Sequence, residues 1–276
     1  MATTNNLQKT VSDLAVLITS CDSFEDAWNA CAKCFEKYWQ VNVTIYLITN
    51  ELDPEYENVN TVRIGKDTCY SDGIKKALDV IDKNYVLMIM ADHLPKTYVD
   101  GDKLNDLLEE LKQRDVDYCS VYKQKDKERY YKAYDNSDEL LAIDMKYLYA
   151  INVMPAIWKK ETLRRLTESG KYDPWEFETA FQKDSAMRAI MLESNNVYCK
   201  EQIFPICHTV VKGKYLRSGI KFLNKEKLDY DLNKRPIISR KEELKLKIVD
   251  GLSRKQKDAI KKIMVKMGKN FYTESK

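Results

Sequence analysis

The sequence predicts an α/β fold, in which a mixed, mostly parallel sheet is flanked by helices. The main observation is the run YVLMIMA at residues 85–91, which is apolar throughout. Such a run is typical of a strand buried on both faces of a sheet. Around it, residues 13–94 alternate as strand, helix, strand, strand, helix, strand, which is the order of a parallel sheet wound with helices.

Apolar periodicity and capping residues predict the other elements. Ser23 and Asp26 form a partial capping box, which predicts a helix that begins there and ends near Trp39. The Asp-Pro pair at 173–174 opens a helix that is expected to continue through Met191. The other predicted helices are 74–81, 101–113 and 160–168, the strands are 13–21, 43–49, 61–64, 117–123, 140–145, 150–157, 197–199, 206–211 and 215–216, and 124–129 is a solvated loop.

The predicted organisation is one domain with two short additions. A polar leader at 1–12 precedes an α/β domain at 13–235, whose halves are 13–123 and 124–235. A basic amphipathic helical extension follows at 236–276. No segment has the roughly 20 apolar residues of a membrane span and the amino terminus lacks a signal-peptide pattern, so we expect a cytoplasmic protein. The extension is suited either to docking on its own domain or to lying peripherally on an anionic membrane surface.

Composition excludes several classes of function. Of the 276 residues 32% are charged, but the net charge is only +3, which does not favour nucleic acid as a partner. The seven cysteines are mostly embedded in apolar patterns, as expected of reduced thiols. Cys31 and Cys34 form a CxxC inside a helical pattern, and a second such pair, which a zinc site would need, is missing.

Asp92 and His93 follow the central apolar run directly and are the first candidates for a functional site. Ligands of open α/β sheets bind at the carboxyl ends of the strands, where these side chains should lie. The alternative is a strand that simply ends in polar residues. The chain has only two histidines, and the second is His208. The sequence has neither GxGxxG after its first strand nor GxxxxGK[ST], which argues against a dinucleotide-binding fold and a P-loop enzyme.

The order of these features resembles glycosyltransferases of the A-type (GT-A) fold, especially bacterial transferases that build capsule, lipopolysaccharide or other surface polysaccharides. The motifs are short, and they span most of residues 13–220. They are LITSCDSFEDAW, CFEKYW, IGKDTCYSDGIKKAL, YVLMIMADHL, PAIWKKETL, DPWEFE and HTVVKGKYLRSG. The resemblance implies that the first half binds a nucleotide-sugar donor and that the second half supplies the acceptor site and the catalytic base.

The resemblance also implies a site for the diphosphate of the donor. Asp92 and His208 match the family's ligands for a divalent metal, Mn²⁺ or Mg²⁺, and would then have to lie side by side. The family often has Asp-x-Asp where this chain has only one carboxylate, so His93 is an alternative that would bind phosphate directly. Lys212 and Lys214 are candidates for neutralising the diphosphate.

For inverting transfer, the resemblance places the catalytic base in DPWEFE. A carboxylate must take the proton of the attacking hydroxyl, and Glu178 is preferred over Glu176 and Asp173. Helical spacing puts the two glutamates on different faces, so only one should reach the substrate. The alternative is that these acids stabilise the start of the helix.

The same comparison indicates the residues that would frame the nucleobase and the donor. The nucleobase residues follow the first and second strands, and Lys66 and Asp72 would frame the rest of the donor. Asp22 could instead cap a helix, and Asp72 could hold its own turn. The residues proposed for the nucleobase are Thr19, Ser20, Asp22, Asn50 and Glu51.

The predicted function is therefore transfer of a sugar from a nucleotide-sugar donor to a glycan or lipid-linked acceptor. A sugar nucleotidyltransferase is one alternative, although such enzymes usually have a glycine-rich basic loop after the first strand, and TSCDSFEDAW has no glycine. A non-catalytic scaffold that retains the fold is the other, because Asp92 is a single carboxylate.

Overall fold

The computed structural model describes residues 9–66, 68–123, 131–146 and 149–251. They form a mixed nine-stranded sheet flanked by helices, which confirms the predicted fold class. The strands are β1 (Lys9–Thr19), β2 (Val41–Thr49), β3 (Asn60–Arg63), β4 (Tyr85–Met90), β5 (His93–Pro95), β6 (Tyr118–Ser120), β7 (Lys132–Ala133), β8 (Leu140–Ala142), β9 (Ala156–Lys159), β10 (Asn196–Cys199), β11 (Ile206–His208), β12 (Val210–Val211) and β13 (Lys214–Tyr215). The helices are α1 (Glu25–Tyr38), α2 (Tyr70–Val80), α3 (Gly101–Gln113), α4 (Lys160–Glu168), α5 (Pro174–Lys183), α6 (Ser185–Glu193), α7 (Arg217–Glu226) and α8 (Arg240–Gly251).

The large sheet has the strand order β3-β2-β1-β4-β9-β6-β10-β8-β7. Strands β3, β2, β1 and β4 are parallel, whereas β9 lies antiparallel between β4 and β6 and β8 lies antiparallel to β10. The apolar run therefore becomes a central strand that is buried along most of its length, as predicted. Two small pairings stand apart from this sheet, β5 with β11 and β12 with β13.

Helices cover both faces of the sheet because alternate side chains of its strands point to opposite sides. On one face, Leu14, Val16 and Ile18 of β1 pack in a cluster with α1 and α3. On the other face, Ala15 and Leu17 pack in a cluster with α2, α4, α5 and α6. The first strand thus contributes to both halves of the core.

Strand β1 begins at Lys9, so the prediction that the first strand starts at residue 13 is wrong. Its pairing with β2 is interrupted where Asp13 adopts a left-handed backbone with φ 71°. The Asp13 carboxylate accepts hydrogen bonds from the backbone and side-chain amides of Asn84, which holds this irregularity. Val11 lies beyond the irregularity and is buried, so the strand continues through residues that look polar in sequence.

The helix predicted from 173 through 191 is two helices. Asp184 adopts an extended backbone between α5 and α6, and its side chain accepts a hydrogen bond from the backbone N–H of Met187. An aspartate that caps a helix in this way satisfies an amide that would otherwise lack a partner. The second helix can therefore begin in a new direction without a glycine or proline at the junction.

Helix α1 also begins differently from the prediction. A short 3-10 turn at Asp22–Phe24 precedes it, and Ser23 makes no capping hydrogen bond. Asp26 is paired with Arg235 and Tyr215 from the far end of the chain instead. The capping-box hypothesis is wrong because a long-range ion pair takes the carboxylate.

The last described elements are α7, which was not predicted, and α8. Helix α8 is joined to the β12–β13 hairpin by the ion pair between Lys214 and Glu242. Residues 252–276, which include most of the predicted extension, and 124–129, the predicted loop, lie outside the described residues. Within the described chain, every helix is too short or too polar to cross a bilayer.

Candidate active site

A cavity of about 230 Å³ opens at the carboxyl ends of the parallel strands β1, β2 and β4. Its lining comes from the chain just after these strands, from the amino terminus of α2, and from Pro174 at the start of α5. Apolar side chains such as Phe24 and Tyr70 provide much of the surface. Such a mostly apolar cleft with a few polar groups is typical of small-molecule sites.

Asp92 lies on the wall of this cavity and also belongs to a cluster of three potential metal ligands. His208 Nε2 lies 3.2 Å from Asp92 Oδ2, so the two residues lie side by side as the sequence prediction required. The imidazole rings of His93 and His208 have centroids 4.8 Å apart and are nearly perpendicular. One ligand atom from each of the three residues lies within 4.8 Å of the others.

The spacing of Asp92 and His208 and the unpaired atoms of the cluster suit a divalent cation. Two ligands at about 2.1 Å from one cation lie about 3.0–3.4 Å apart, which matches the separation of Asp92 and His208. Asp92 and His93 are only 4% and 1% exposed. Asp92 Oδ1 and His93 Nδ1 are buried and find no hydrogen-bond partner among the described residues. Buried polar atoms without a partner are rare in proteins, so each calls for an explanation such as a bound ion or water.

The charge states of these side chains suit metal binding. Burial raises the pKa of Asp92, but the neighbouring His93 and His208 outweigh it, and the pKa lies below its usual value. Burial lowers the pKa of His93 to about 4, against the attraction of Asp92. Asp92 is therefore a carboxylate and His93 a neutral imidazole near pH 7, which are the forms that bind metals.

The loops after β1 and β2 hold one another at the cavity mouth. The Asp22 carboxylate accepts hydrogen bonds from the backbone N–H groups of Asn50, Glu51 and Leu52 at 2.8, 2.9 and 3.2 Å. Burial raises the pKa of Asp22, and these bonds lower it to below its usual value. In return the Asn50 side chain accepts from Asp22 N and donates to Gly65 O. These hydrogen bonds hold the two loops together at the cavity edge, and Asn50 also lines the cavity.

The other residues predicted to hold the donor are placed as follows. Thr19 is buried and donates to Ile89 O, and Ser20 accepts a hydrogen bond from the Trp28 indole; both line the cavity. Lys66 is exposed in the loop before α2. Asp72, in the first turn of α2, lies 3.7 Å from Lys171 Nζ.

Two of the three candidate bases are engaged at a helix start. Asp173 and Glu176 form a reciprocal capping box at α5, as the structural alternative proposed. Glu178 is buried, and its Oε1 accepts a hydrogen bond from Val153 N. Burial raises the pKa of Tyr70, which lines the cavity, and the negative charge of Glu178 raises it further. Glu178 is thus the candidate that is electrostatically coupled to the cavity, although among the described lining residues only Pro174 comes from this helix.

The two candidate lysines flank the β12–β13 turn. Lys212 is exposed and Gly213 follows it, both with positive φ, so this is a tight hairpin turn. Lys214 Nζ lies 2.7 Å from Glu242 Oε1 on α8, which already satisfies its charge. Neither lysine is among the described residues that line the cavity.

Sequence reasoning missed the contribution of aromatic residues and of Arg235. Phe24 lines the cavity, and the Arg235 guanidinium lies 4.0 Å from the centre of its ring. The two residues are 211 positions apart, so local pattern could not have joined them. His93, for which direct phosphate binding is the predicted alternative, is buried and packs against the ring of His208.

No protein-family model and no curated protein sequence matches the chain. Solved structures that resemble it include both glycosyltransferases and nucleotidyltransferases. S. aureus TarS 1-349 in complex with UDP-GlcNAc is 11% identical, with 74% of this chain and 60% of that chain covered and a TM-score of 0.47. A mannosyltransferase from Pyrobaculum calidifontis in complex with GDP-Man and Mn²⁺ is 13% identical, with 69% and 56% covered and a TM-score of 0.42. A UDP-glucose pyrophosphorylase complexed with UDP-glucose is 10% identical, with 77% and 98% covered and a TM-score of 0.49.

The chain spans only 44% to 60% of the length of four of the similar proteins, which are a bifunctional IspDF from Campylobacter jejuni and three TarS structures. Identities near 10% and TM-scores below 0.5 do not identify a reaction, so the chemistry of the site has to be argued from its own geometry. The solved structures that resemble the chain include complexes with two nucleotide sugars, UDP-GlcNAc and GDP-Man.

Proposed function

We propose that the chain is a metal-dependent glycosyltransferase that moves a sugar from a nucleotide-sugar donor to a glycan or lipid-linked acceptor in surface polysaccharide synthesis. The observation that carries this proposal is the position of Asp92. Its carboxylate is shared by the cavity at the sheet edge and by the cluster with His93 and His208. A ligand in the cavity would therefore lie directly beside a cation held by the cluster.

The charge of the cavity supports a negatively charged leaving group held through a cation. The described lining residues include no lysine or arginine, while Asp92 contributes a negative charge. A diphosphate next to this carboxylate would be repelled if nothing lay between them. A divalent cation, when bound, neutralises the charge that accumulates on a departing diphosphate. Asp92 and His208 would hold that cation and orient it toward the cavity.

The remaining walls suit a flat nucleobase. Ile48 and Ile64 provide apolar surface, and Phe24 provides an aromatic ring that Arg235 holds in place. Asn50 and Ser20 line the same cavity with polar groups. Stacking on an aromatic side chain stabilises a base by about 1–3 kcal/mol. We therefore place the nucleobase between the ends of β1 and β2 and the diphosphate beside Asp92.

For the acceptor half, Glu178 is the proposed base of an inverting transfer. Asp173 and Glu176 bind each other in the capping box, whereas the charge of Glu178 acts on a residue of the cavity wall. Glu178→Gln should lower transfer to the acceptor about 10²–10⁴-fold and leave donor binding unchanged. Glu176→Gln is the matched control, and it should affect the stability of α5 without removing transfer.

The reaction can be tested by product release. The full chain would be incubated with UDP-, GDP- and dTDP-sugars, with Mn²⁺ or with a chelator, and free nucleoside diphosphate would be measured. We expect release from one donor with the metal, and loss of it on chelation and in Asp92→Ala and His208→Ala. No release from any donor would indicate a scaffold. Pyrophosphate release from a nucleoside triphosphate and a sugar phosphate would indicate a nucleotidyltransferase.

We propose further that residues 240–276 bind the cytoplasmic, anionic surface of a membrane. This segment has 12 lysines and arginines against 5 acidic residues, although the whole chain carries only +3. Leu244 and Ile248, one turn apart on α8, are both exposed. Exposed apolar side chains beside positive charges favour binding to anionic lipids.

Vesicle sedimentation tests this proposal. Removal of the residues after Arg240 should weaken binding to anionic vesicles, and the pair Leu244→Ser and Ile248→Ser should weaken it with no change of charge. Neutral vesicles are the control. Equal binding by the full and shortened chains would refute the membrane role.

A further inference from the structure

We infer that His93 is the third protein ligand of the metal site, so that the site selects a first-row transition cation such as Zn²⁺, Co²⁺ or Mn²⁺ over Mg²⁺. The inference rests on the proposed function in that it names the cofactor of the same site. Its test needs no nucleotide, because it measures binding of the metal alone.

The backbone fixes both imidazoles on the same side of one strand pair. His93 of β5 is the direct partner of His208 of β11 in an antiparallel register. Directly opposed residues of antiparallel strands have side chains on the same face, about 4.5–5.5 Å apart at Cβ. The backbone N–H and the hydroxyl of Thr209 both donate to the carbonyl oxygen of Asp92 at 3.0 Å. These bonds anchor all three ligand residues to one another.

Burial makes a solvent-facing role for His93 untenable. The residue is 1% exposed, and its Nδ1 finds no partner among the described residues. An unsatisfied buried polar group costs about 1–3 kcal/mol. Asp92 Oδ1, in the same cluster, is unsatisfied as well. One cation bound between these residues would remove the cost at both, which a phosphate outside the cluster would not do.

The ligand atoms determine which cations the site prefers. Mg²⁺ takes oxygen ligands and keeps several waters, whereas imidazole nitrogen suits zinc and its neighbours in the first transition row. The cluster offers two imidazoles and one carboxylate. For the same ligands, affinity rises from Mn²⁺ through Co²⁺ toward the end of the row. We expect the affinity order Zn²⁺, Co²⁺, Mn²⁺ and, far below them, Mg²⁺.

Cobalt spectroscopy on the unmodified chain tests the ligand count. His93 and His208 are the only histidines of the sequence. In the proton NMR spectrum of the Co²⁺ complex, each ligating imidazole should give one exchangeable, strongly shifted N–H signal. Two such signals, with one bound Co²⁺ per chain, are the expected result. A single signal that persists in His93→Ala would mean that His93 is not a ligand, and it would overturn the inference.

Isothermal titration calorimetry with Zn²⁺, Co²⁺, Mn²⁺ and Mg²⁺ tests the expected preference for transition cations over Mg²⁺. Wild-type protein should bind Co²⁺ at least 100-fold more tightly than Mg²⁺. His93→Ala should lose at least tenfold in Co²⁺ affinity. His93→Asp should lower the ratio of Co²⁺ affinity to Mg²⁺ affinity, because it supplies an oxygen ligand in place of the imidazole. The matched control Cys207→Ser changes the neighbour of His208 and should bind Co²⁺ like the wild type. Equal wild-type affinity for Mg²⁺ and Co²⁺, or unchanged Co²⁺ binding by a folded His93→Ala, would contradict the inference.

These outcomes separate the two proposals. Two shifted imidazole signals without release of nucleoside diphosphate from any donor would leave the inference standing and remove the proposed function. Donor turnover with no preference for transition cations would do the reverse.

Discussion

Two aspartates have side chains that are almost fully buried, Asp26 in α1 and Asp92 after β4, and they differ in what surrounds them. The Asp26 carboxylate receives two hydrogen bonds from Arg235 and one from Tyr215. Asp92 has a single polar side-chain partner, His208, and its other oxygen finds no partner among the described residues. Both have a pKa below the usual value, with burial opposing the shift in each case.

The difference indicates how a structural carboxylate can be told from one that awaits a ligand. Arg235 is 7% exposed, and its fork saturates Asp26 in the geometry of a strong bidentate pair. The result is a closed unit that joins the segment near residue 235 to the start of α1. Asp92 lies beside the buried His93 and the partly exposed His208, and its Oδ1 can still accept a hydrogen bond or bind a cation. A lowered pKa does not distinguish the two aspartates, because both have one. The number of hydrogen bonds does, because Asp26 is fully bonded and Asp92 Oδ1 has no partner among the described residues.

The largest effect is expected from a substitution of Asp92, the aspartate with an unfilled hydrogen bond. Asp92→Asn should lower nucleoside diphosphate release by about 10³-fold, equivalent to about 4 kcal/mol, because the amide no longer holds the cation. The midpoint of urea unfolding should change little. Rates measured on a competent donor would be compared with those of Asp229→Asn, a change at an exposed aspartate. A loss of less than tenfold would place Asp92 outside the reaction.

The reciprocal change removes Arg235. Arg235→Met leaves the Asp26 charge buried without its main partner, which should cost about 3–5 kcal/mol of the free energy of unfolding. Urea unfolding of Arg235→Met and of the double variant Asp26→Leu/Arg235→Met measures this. The double variant should recover a large part of the loss, because a well-packed apolar pair can replace a buried ion pair. Equal instability of the two variants would mean that the charge is not the cause.

A smaller effect is expected at Gly219 of α7, which packs on the backbone of Thr209, the residue after His208. A Cβ at this position would lie 2.8 Å from Thr209 Cα and 2.9 Å from its carbonyl oxygen. Gly219→Ala should therefore cost about 1–3 kcal/mol by overpacking, and it should weaken Co²⁺ binding because Thr209 anchors Asp92. Unfolding and titration of Gly219→Ala would be compared with the exposed Ser218→Ala. A stable variant with normal binding would show that α7 does not position the site.

The smallest expected effect is the contribution of Asp26 to the pH dependence of the free energy of unfolding. Because the pKa of Asp26 is lower in the folded chain than its usual value of 3.8, its contribution is complete above that value. It is lost as the pH falls through the lower, native pKa. Asp26→Asn should therefore flatten the loss of stability below about pH 4 relative to the wild type. Parallel acid-unfolding curves for the two proteins would contradict this assignment.

Local signals predicted much of the fold. Helices α3 and α4 have the predicted bounds, since each combines a clear apolar stripe with polar ends. The split between α5 and α6 was missed because both halves are apolar on a similar face and only the Asp184 cap separates them. The start of β1 was missed because residues 9–12 look polar, although Val11 is buried.

For the site, the sequence could predict the position of Asp92, because it ends the most apolar strand. Its closeness to His208 followed only from the resemblance, since the two residues are 116 positions apart. The contacts of Asp22 and Lys214 could not be predicted. Asp22 bonds to the backbone of the loop after β2, and Lys214 pairs with a glutamate on α8. A helix or strand can be predicted from the regular spacing of its apolar residues. Two polar residues that pair across the fold leave no such pattern in the nearby sequence.

The most direct test of the account is calorimetric binding of UDP and GDP, with and without Mn²⁺, to the wild type and to Asp92→Asn. We predict that one nucleotide binds the wild type at least tenfold more tightly with the metal, and that Asp92→Asn loses this gain. Binding that is the same with and without metal, and the same in the variant, would contradict the claim that Asp92 and its imidazoles hold a diphosphate through a cation.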